Sequence, residues 1–305
     1  MDVTEILGTK DQAIQDTMRK QLGIGPLELE KLIVSFKKWL RHETYLPKIT
    51  DPHFIATYVI HCKCNLEEAK RKFEDWLVAR YRLKSLIVQS LDYEYFDSTV
   101  LERTLICSPK LTPEGYRLGF GTVPEDVNNF DFQKIFNYGV ALLEFFAFND
   151  ECAGYITIYD LKYLTAQHLG KINVKLLVEG INLLYNTYPT KIVQNHFINV
   201  PPISEILISI AKRIVGEDVM KTVIIHKTIT DLAQSLPKDC LPVEYGGVSN
   251  IKLHEIAEKQ KRFIVENTEF RRQRQGLKFL GDLPQDKRQQ YSFDLTGDIR
   301  QLDID

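Results

Sequence analysis

Residues 192–215 read IVQNHFINVPPISEILISIAKRIV. The first part, to Asn199, mixes Ile, Val and Phe with polar residues and reads as a strand. Pro201-Pro202 ends it and opens a helix, because proline presets the φ of a first helical turn and lacks only an N–H that would be unpaired there anyway. From Ile203 the apolar residues return at helical spacing. At 100° per residue, Ile203, Ile206, Leu207, Ile208, Ile210, Ala211, Ile214 and Val215 span about 200° of the helix surface. Glu205, Ser209, Lys212 and Arg213 share the rest. A helix lying on a sheet needs roughly 100° of apolar face. The surplus must be covered by more protein, by a ligand or by a membrane.

The same strand–helix alternation continues on both sides. Upstream, strand Gly154–Asp160 leads to a helix over 173–188; downstream, strand Thr222–Ile225 leads to a short helix around 230–236. This rhythm predicts an α/β fold with a mostly parallel sheet and crossover helices. Before it, residues 131–148 are apolar on every side, as in a buried helix. Residues 105–130 are punctuated by Pro and Gly, with a short strand at Arg117–Phe120 and a loop at Gly119 to Gly121. Residues 1–90 read as an all-helical bundle: Leu29, Leu32, Ile33, Phe36, Trp39 and Leu40 share one face, Asp51-Pro52 starts a second helix, and Asn65 to Glu68 caps a third. The expected organisation is a helical domain over 1–90, an α/β domain over 91–278, and a polar tail over 279–305. Residues 253–278 form a charged helical segment, solvated on one side; Lys259–Lys278 carries seven Lys or Arg.

Composition narrows the function. The 305 residues are 44% hydrophobic and 26% charged, with a net charge of −2. That supplies a large core and lacks the basic excess of a nucleic-acid binder. Five scattered cysteines and a start without an apolar leader lead to the expectation of reduced thiols and a cytoplasmic protein. No apolar run is long enough to span a membrane. No phosphate-cradling glycine loop, dinucleotide fingerprint or nucleophile elbow is present. His61-Cys62-Lys63-Cys64 matches no zinc spacing and reads as a helix end. Neither cofactor, metal nor enzymatic activity is expected.

Strand Gly154–Asp160 alternates: Tyr155, Thr157 and Tyr159 face one side, Ile156 and Ile158 the other. A hydroxyl-bearing face inside a parallel sheet fits either a satisfied core or a ligand cavity with a few placed polar groups.

GYITIYDLKYLTAQHL (154–169), YPTKIVQNHFINVPPISEILISIAKRIVGEDVMKTVIIH (188–226) and LPKDCLPVEYGG (236–247) resemble the core of the CRAL-TRIO (Sec14-like) lipid-binding domains, and NLEEAKRKFEDWLVAR (65–80) resembles their helical companion. The sequence is most similar to the tocopherol- and retinaldehyde-binding carriers, particularly the insect members. The resemblance implies a carrier for one hydrophobic small molecule of the retinoid, tocopherol or carotenoid class. Its ligand would lie in a cavity between sheet and helices, under a lid helix that opens at a membrane surface. The lid would be Pro202 to about Val215.

Carried over position by position, the family's pocket falls on Asn137, Tyr138, Ala141 and Phe145 in the buried helix. It continues through Tyr155, Thr157, Tyr159, Ile192, Asn195 and Phe197 in the sheet, and Leu183, Leu184 and Tyr188 in the next helix. Ile203, Ile206, Leu207 and Ile210 would line it from the lid. Asn137, Tyr155, Tyr159 and Asn195 as polar handles would favour a ligand with a hydroxyl or carbonyl. The family's phosphoinositide cleft is matched in part: Lys191 fits its basic position, but Val193, Asp218 and Thr222 stand where basic residues are usual. Lys212, Arg213 and Lys221, with Lys70, Arg71 and Lys72, are the remaining basic candidates. A phosphoinositide-responsive membrane adaptor is the alternative to the carrier.

Overall fold

The computed structural model describes residues 3–8, 11–83, 105–189, 191–281 and 284–285. The N-terminal part is helical: α1 (Thr4–Leu7), α2 (Gln12–Leu22), α3 (Pro26–His42), α4 (Pro52–His61) and α5 (Leu66–Arg82). Local chemistry sets their starts. The Asp51 carboxylate accepts from the His53 and Phe54 N–H groups ahead of Pro52, and Asn65 accepts from Glu68 N–H. The apolar stripes meet in an aromatic cluster of Phe36, Trp39, Phe54, Tyr58, Phe73 and Trp76. The boundary expected at residue 90 lies outside the described residues.

A five-stranded sheet follows in the order β1 (Leu105–Leu111), β2 (Tyr116–Thr122), β3 (Gly154–Asp160), β4 (Ile192–Ile198) and β5 (Val223–Ile225). β1 and β2 are antiparallel; β2 to β5 are parallel, as the alternation predicts. Two details differ from the sequence reading. β1 is an additional strand, and Gly119 and Gly121 lie within β2 rather than in a loop. The crossovers are α6 (Phe132–Asn149), α7 (Ala166–Lys171), α8 (Val174–Asn182) with a wide turn at Leu183–Thr187, and α9 (Glu205–Met220). α10 (Ile229–Ser235), α11 (Leu253–Glu266) and α12 (Thr268–Gly276) complete the chain. The charged segment is therefore two helices, separated where Asn267 ends one and caps the next through Phe270 N–H.

Each face of the sheet has its own core. Ile106, Leu118, Phe120, Ile156, Ile158 and Ile198 pack with α10 and α11. The other face turns toward α6, α8 and the N-terminal bundle. Gln260 of α11 closes the outer edge of β1: its amide donates to Cys107 C=O (2.7 Å) and its carbonyl accepts from Cys107 N–H (3.2 Å). That pairing blunts an exposed strand edge. At the start of β3 the backbone passes so near β4 that a Cβ on Gly154 would sit 2.5 Å from Lys191 C=O, which only glycine tolerates.

Two buried charge clusters tie the parts together. Arg117 of β2 forks onto Asp150, just past α6 (2.8 Å from Nη2 to Oδ1), and donates to Ser108 C=O at 2.6 Å. Glu144 of α6 is fully buried and ion-pairs with Arg80 of α5 and Arg274 of α12. The chain after α12 turns back onto the bundle: Phe279 rests against Tyr45 and Tyr81, and Leu280 N–H reaches Tyr45 C=O.

Candidate functional site

A chamber of about 340 Å³ lies between the sheet, α6 and α8, at the small end of ligand cavities, which run from about 300 to 1,000 Å³. The strand register sets its floor. Leu105 pairs with Gly121 and Cys107 with Gly119; Gly119 and Gly121 pair with Thr157 and Tyr159; Tyr155 pairs with Ile192. Side chains at these positions share one face of the sheet, and all of them line the chamber. Two glycines side by side leave the middle of the floor bare. α6 supplies Phe132, Ile135, Phe136, Gly139, Val140, Leu142, Leu143 and Phe146 as one wall. α8 and the turn after it supply Leu176, Leu177, Gly180, Ile181, Leu183 and Leu184 as the other.

Most of the few polar side chains at the floor are paired within the protein. Tyr155 donates to Asp150 Oδ2 (3.2 Å), and burial pushes its phenol far up, so it stays neutral. Thr157 donates to Asn195 Oδ1 (2.8 Å). Tyr185 donates to the same Asn195 oxygen at 2.8 Å, and Asn195 Nδ2 donates to Thr222 Oγ1 at 2.8 Å. Burial raises the Cys107 thiol well above its usual range, so it remains S–H.

Of the residues singled out from the sequence, Tyr155, Thr157, Tyr159, Leu183, Leu184 and Ile192 line the chamber. The four from α6 do not: Asn137, Tyr138, Ala141 and Phe145 point from its opposite side, where all are buried. Phe145 packs on Phe263 and Phe270 of α11 and α12, and Asn137 donates to Gln133 C=O one turn back. Tyr188 is fixed beneath Trp76, with its hydroxyl near Val140 C=O, and stands behind the wall. Asn195 is buried under Thr157 and Tyr185, so it is a hydrogen-bond node and not a lining residue. Phe197 stacks on Tyr159 farther along β4 than Ile192 and is not in the lining.

Ile203, Ile206, Leu207 and Ile210 are also absent from the lining, because α9 stands aside from the chamber and contacts α8. No residue of α9 is buried, and Ile206 is 53% exposed. The helical backbone breaks at Gly216 (φ 72°, ψ 174°), a conformation essentially reserved for glycine. The apolar segment therefore ends at Val215, where the sequence reading stops the lid.

The missed wall had a signal. Positions 132, 135, 136, 139, 142, 143 and 146 recur at 3 and 4, the spacing of a single helix face. The glycine at 139 sits in the middle of that stripe: a Cβ there would meet Leu105 Cδ1 at 3.0 Å.

The basic candidates are scattered. Lys70 pairs with Glu67, Arg71 with Glu68 and Asp75, and Lys221 with Asp218, all within a helical turn of each other. Lys212 and Arg213 are exposed on α9, and Lys72 is half-buried on α5. Burial, with Lys63 nearby, lowers the Lys191 ammonium below its usual range. The His61–Cys64 stretch ends α4: both His61 ring nitrogens face carbonyls, of Pro189 and of Cys152 (3.0 Å for the latter), and Lys63 and Cys64 take left-handed φ. Among the described residues no group of three or more His, Cys, Asp or Glu is placed to hold a metal, and no helix is long and apolar enough to cross a membrane.

Residues 117–247 match the family model of the CRAL/TRIO domain, the family that the strand and helix motifs resemble. That segment runs from within β2 to β5 and includes α6 to α10, and so both chamber walls, α9 and the floor apart from β1. Clavesin-1 of Xenopus laevis is 28% identical over 95 residues, which are 31% of this chain and 29% of that protein. The match thus spans about three tenths of the curated relative. A crystal structure of Sfh5 aligns over 85% of this chain and 99% of its own, with 15% identity and a TM-score of 0.41.

Proposed function

We propose that this chain is a carrier that encloses one hydrophobic small molecule in the chamber and exchanges it at membrane surfaces, with α9 as the moving cover and no bond chemistry. The observation that carries this reading is a pair. An almost entirely apolar chamber lies beside a helix with a wide apolar arc and not one buried residue. Surface of that kind is stabilised by removing it from water, at about 25 cal/mol per Å². A ligand burying about 300 Å² would gain roughly 7 kcal/mol, offset in part by its lost freedom and by closing α9. The CRAL/TRIO match over the same segment supports the reading. Within it, the cargo class is an isoprenoid lipophile of the retinoid, tocopherol or carotenoid type, as in the carrier branch, and the protein works between cytoplasm and membrane. An amphipathic α9 with Lys212 and Arg213 on its polar side suits contact with a bilayer surface. The adaptor reading gains no such support, since Lys70, Arg71 and Lys221 are paired to neighbouring acids.

The test is organic extraction of the purified protein with mass and absorbance spectra, then uptake of labelled lipophiles from vesicles. One stoichiometric lipophile is the expected result. An empty extract together with no uptake from any vesicle would sink the proposal.

A further inference from the structure

We infer that Tyr159 sets the choice of cargo: its hydroxyl is the donor for one uncharged oxygen, a carbonyl or a hydroxyl, on an otherwise hydrocarbon molecule; this deepens the carrier reading and rests on it. The sequence offers four handles for such a group, Asn137, Tyr155, Tyr159 and Asn195. The structure leaves one of them a proton to give. Asn137 is on the far side of α6. The Tyr155 proton goes to Asp150, whose carboxylate also holds the Arg117 fork. Asn195 is buried behind the floor, where its Oδ1 receives Thr157 and Tyr185 and its Nδ2 donates to Thr222. Thr157 lines the chamber too, but its proton is the one given to Asn195. Among the described residues no acceptor takes the Tyr159 proton. Burial raises that phenol, so it stays O–H at neutral pH. Phe197 stacks on the ring with centres 5.0 Å apart and fixes its place. On the other side Tyr159 pairs in register with Gly121, which has no side chain, so the head of a cargo molecule has room beside it.

A buried donor left without a partner costs free energy. Cargo of bare hydrocarbon would put Tyr159 in that state, and a carbonyl would remove the cost. A carbonyl only accepts, so it needs Tyr159: the Tyr155 and Thr157 oxygens keep acceptor capacity but have no proton to offer. A cargo hydroxyl can accept from Tyr159 and donate to one of those oxygens. The Cys107 thiol is a weak donor that behaves as a small apolar group. Charge is another matter. The described lining contains no Lys, Arg or His, so a carboxylate or phosphate would be desolvated there without a counter-charge.

The test uses farnesal, farnesene and farnesyl phosphate, each radiolabelled in phosphatidylcholine vesicles and equilibrated with the full chain. Farnesal should show a higher protein-to-vesicle ratio than farnesene, and farnesyl phosphate should stay with the vesicles. Tyr159→Phe keeps the ring on Phe197 and removes only the hydroxyl. It should lower farnesal uptake relative to farnesene at least about fivefold, the smaller end of the effect of an unpaired buried polar group. A farnesal ratio no higher than that of farnesene, no relative loss in Tyr159→Phe, or entry of farnesyl phosphate as readily as farnesal overturns the inference and leaves the carrier reading standing. Failure of all three to leave the vesicles overturns the carrier reading with it. A second readout needs no variant. The infrared carbonyl stretch of farnesal bound to the parent chain should lie below its position in hexane, as for a hydrogen-bonded C=O. A band at the hexane position overturns the inference whatever the partition.

Discussion

The two sides of α6 are both inside the protein, yet they differ in composition and role. One side, from Phe132 to Phe146, faces the chamber and touches little but other lining groups. The other carries Asn137, Tyr138, Ala141, Glu144 and Phe145, all buried against α5, α11, α12 and the bundle. The polar residues lie on the packed side. Buried polar groups require partners, and only a tightly packed face supplies them: Glu144 finds Arg80 and Arg274. The chamber side has no fixed neighbour to offer, and it is marked by what is missing, the side chain at Gly139. In this helix the buried polar residues point away from the chamber.

The contrast breaks most sharply at Glu144. Glu144→Gln removes the carboxylate that two buried guanidinium groups share. Breaking a buried ion pair from one side costs about 3–5 kcal/mol, so the midpoint of urea unfolding should fall accordingly. The fraction that stays folded should keep its chamber and take up cargo with unchanged affinity. Unchanged stability would mean that the triad does not hold the packed side together.

On the other side, substitution should do the reverse. Gly180 of α8 borders the chamber, and a Cβ there would only touch Phe136 at 3.5 Å, ordinary contact. Gly180→Leu gains helix propensity, about 0.8 kcal/mol, and fills space that cargo would use. Melting temperature should rise slightly while uptake from vesicles falls tenfold or more. A variant less stable than the parent, binding normally, would show that the chamber is not where cargo sits.

These opposed outcomes also explain what the sequence could reveal. The α/β order, the parallel strands and the end of the apolar part of α9 at Val215 were legible, because periodicity, caps and Pro-Pro are local signals. So was the β3 part of the lining, since alternation in that strand fixes which side chains share a face. The helix half was not. The stripe from Phe132 to Phe146 around Gly139 marks one side, but faintly in a helix that is apolar nearly all round, and Asn137 came from the family's pocket positions. Tertiary partners decided otherwise. Strand β1 and the glycine pair of β2 were hidden by the Pro and Gly between them, which resemble loop punctuation until the register shows two glycines facing one chamber. The expected contact of Ile203, Ile206, Leu207 and Ile210 with the lining depends on where α9 sits, and no local pattern encodes that.

The smallest effect concerns acid, and it should also divide the molecule in two. His196 of β4 and His226, just after β5, stack with ring centres 5.0 Å apart, and Nδ1 of the first meets Nε2 of the second at 2.7 Å. Gln194 Oε1 lies 3.1 Å from His196 Nε2 and therefore takes its proton. That leaves His196 Nδ1 as acceptor and His226 Nε2 as donor, a neutral pair. Burial first, and His226 next, lowers His196 from 6.5 to about 4; burial also lowers His226, against the pull of Asp231. A folded value below the unfolded one means that the unfolded chain binds more protons. The contribution to stability is then intact above about pH 6.5 and declines as the pH falls toward 4. The strands involved flank α9, and β5 is a three-residue edge. Acid should therefore loosen that side alone. Between pH 7.5 and 5, amide exchange corrected for its intrinsic rate should quicken over 222–226 and α9, with α6 unchanged; His226→Leu should abolish the difference. Quickening on both sides of α6 alike would mean that the chamber side and the packed side open as one unit, and the contrast between them would be one of packing without independent motion.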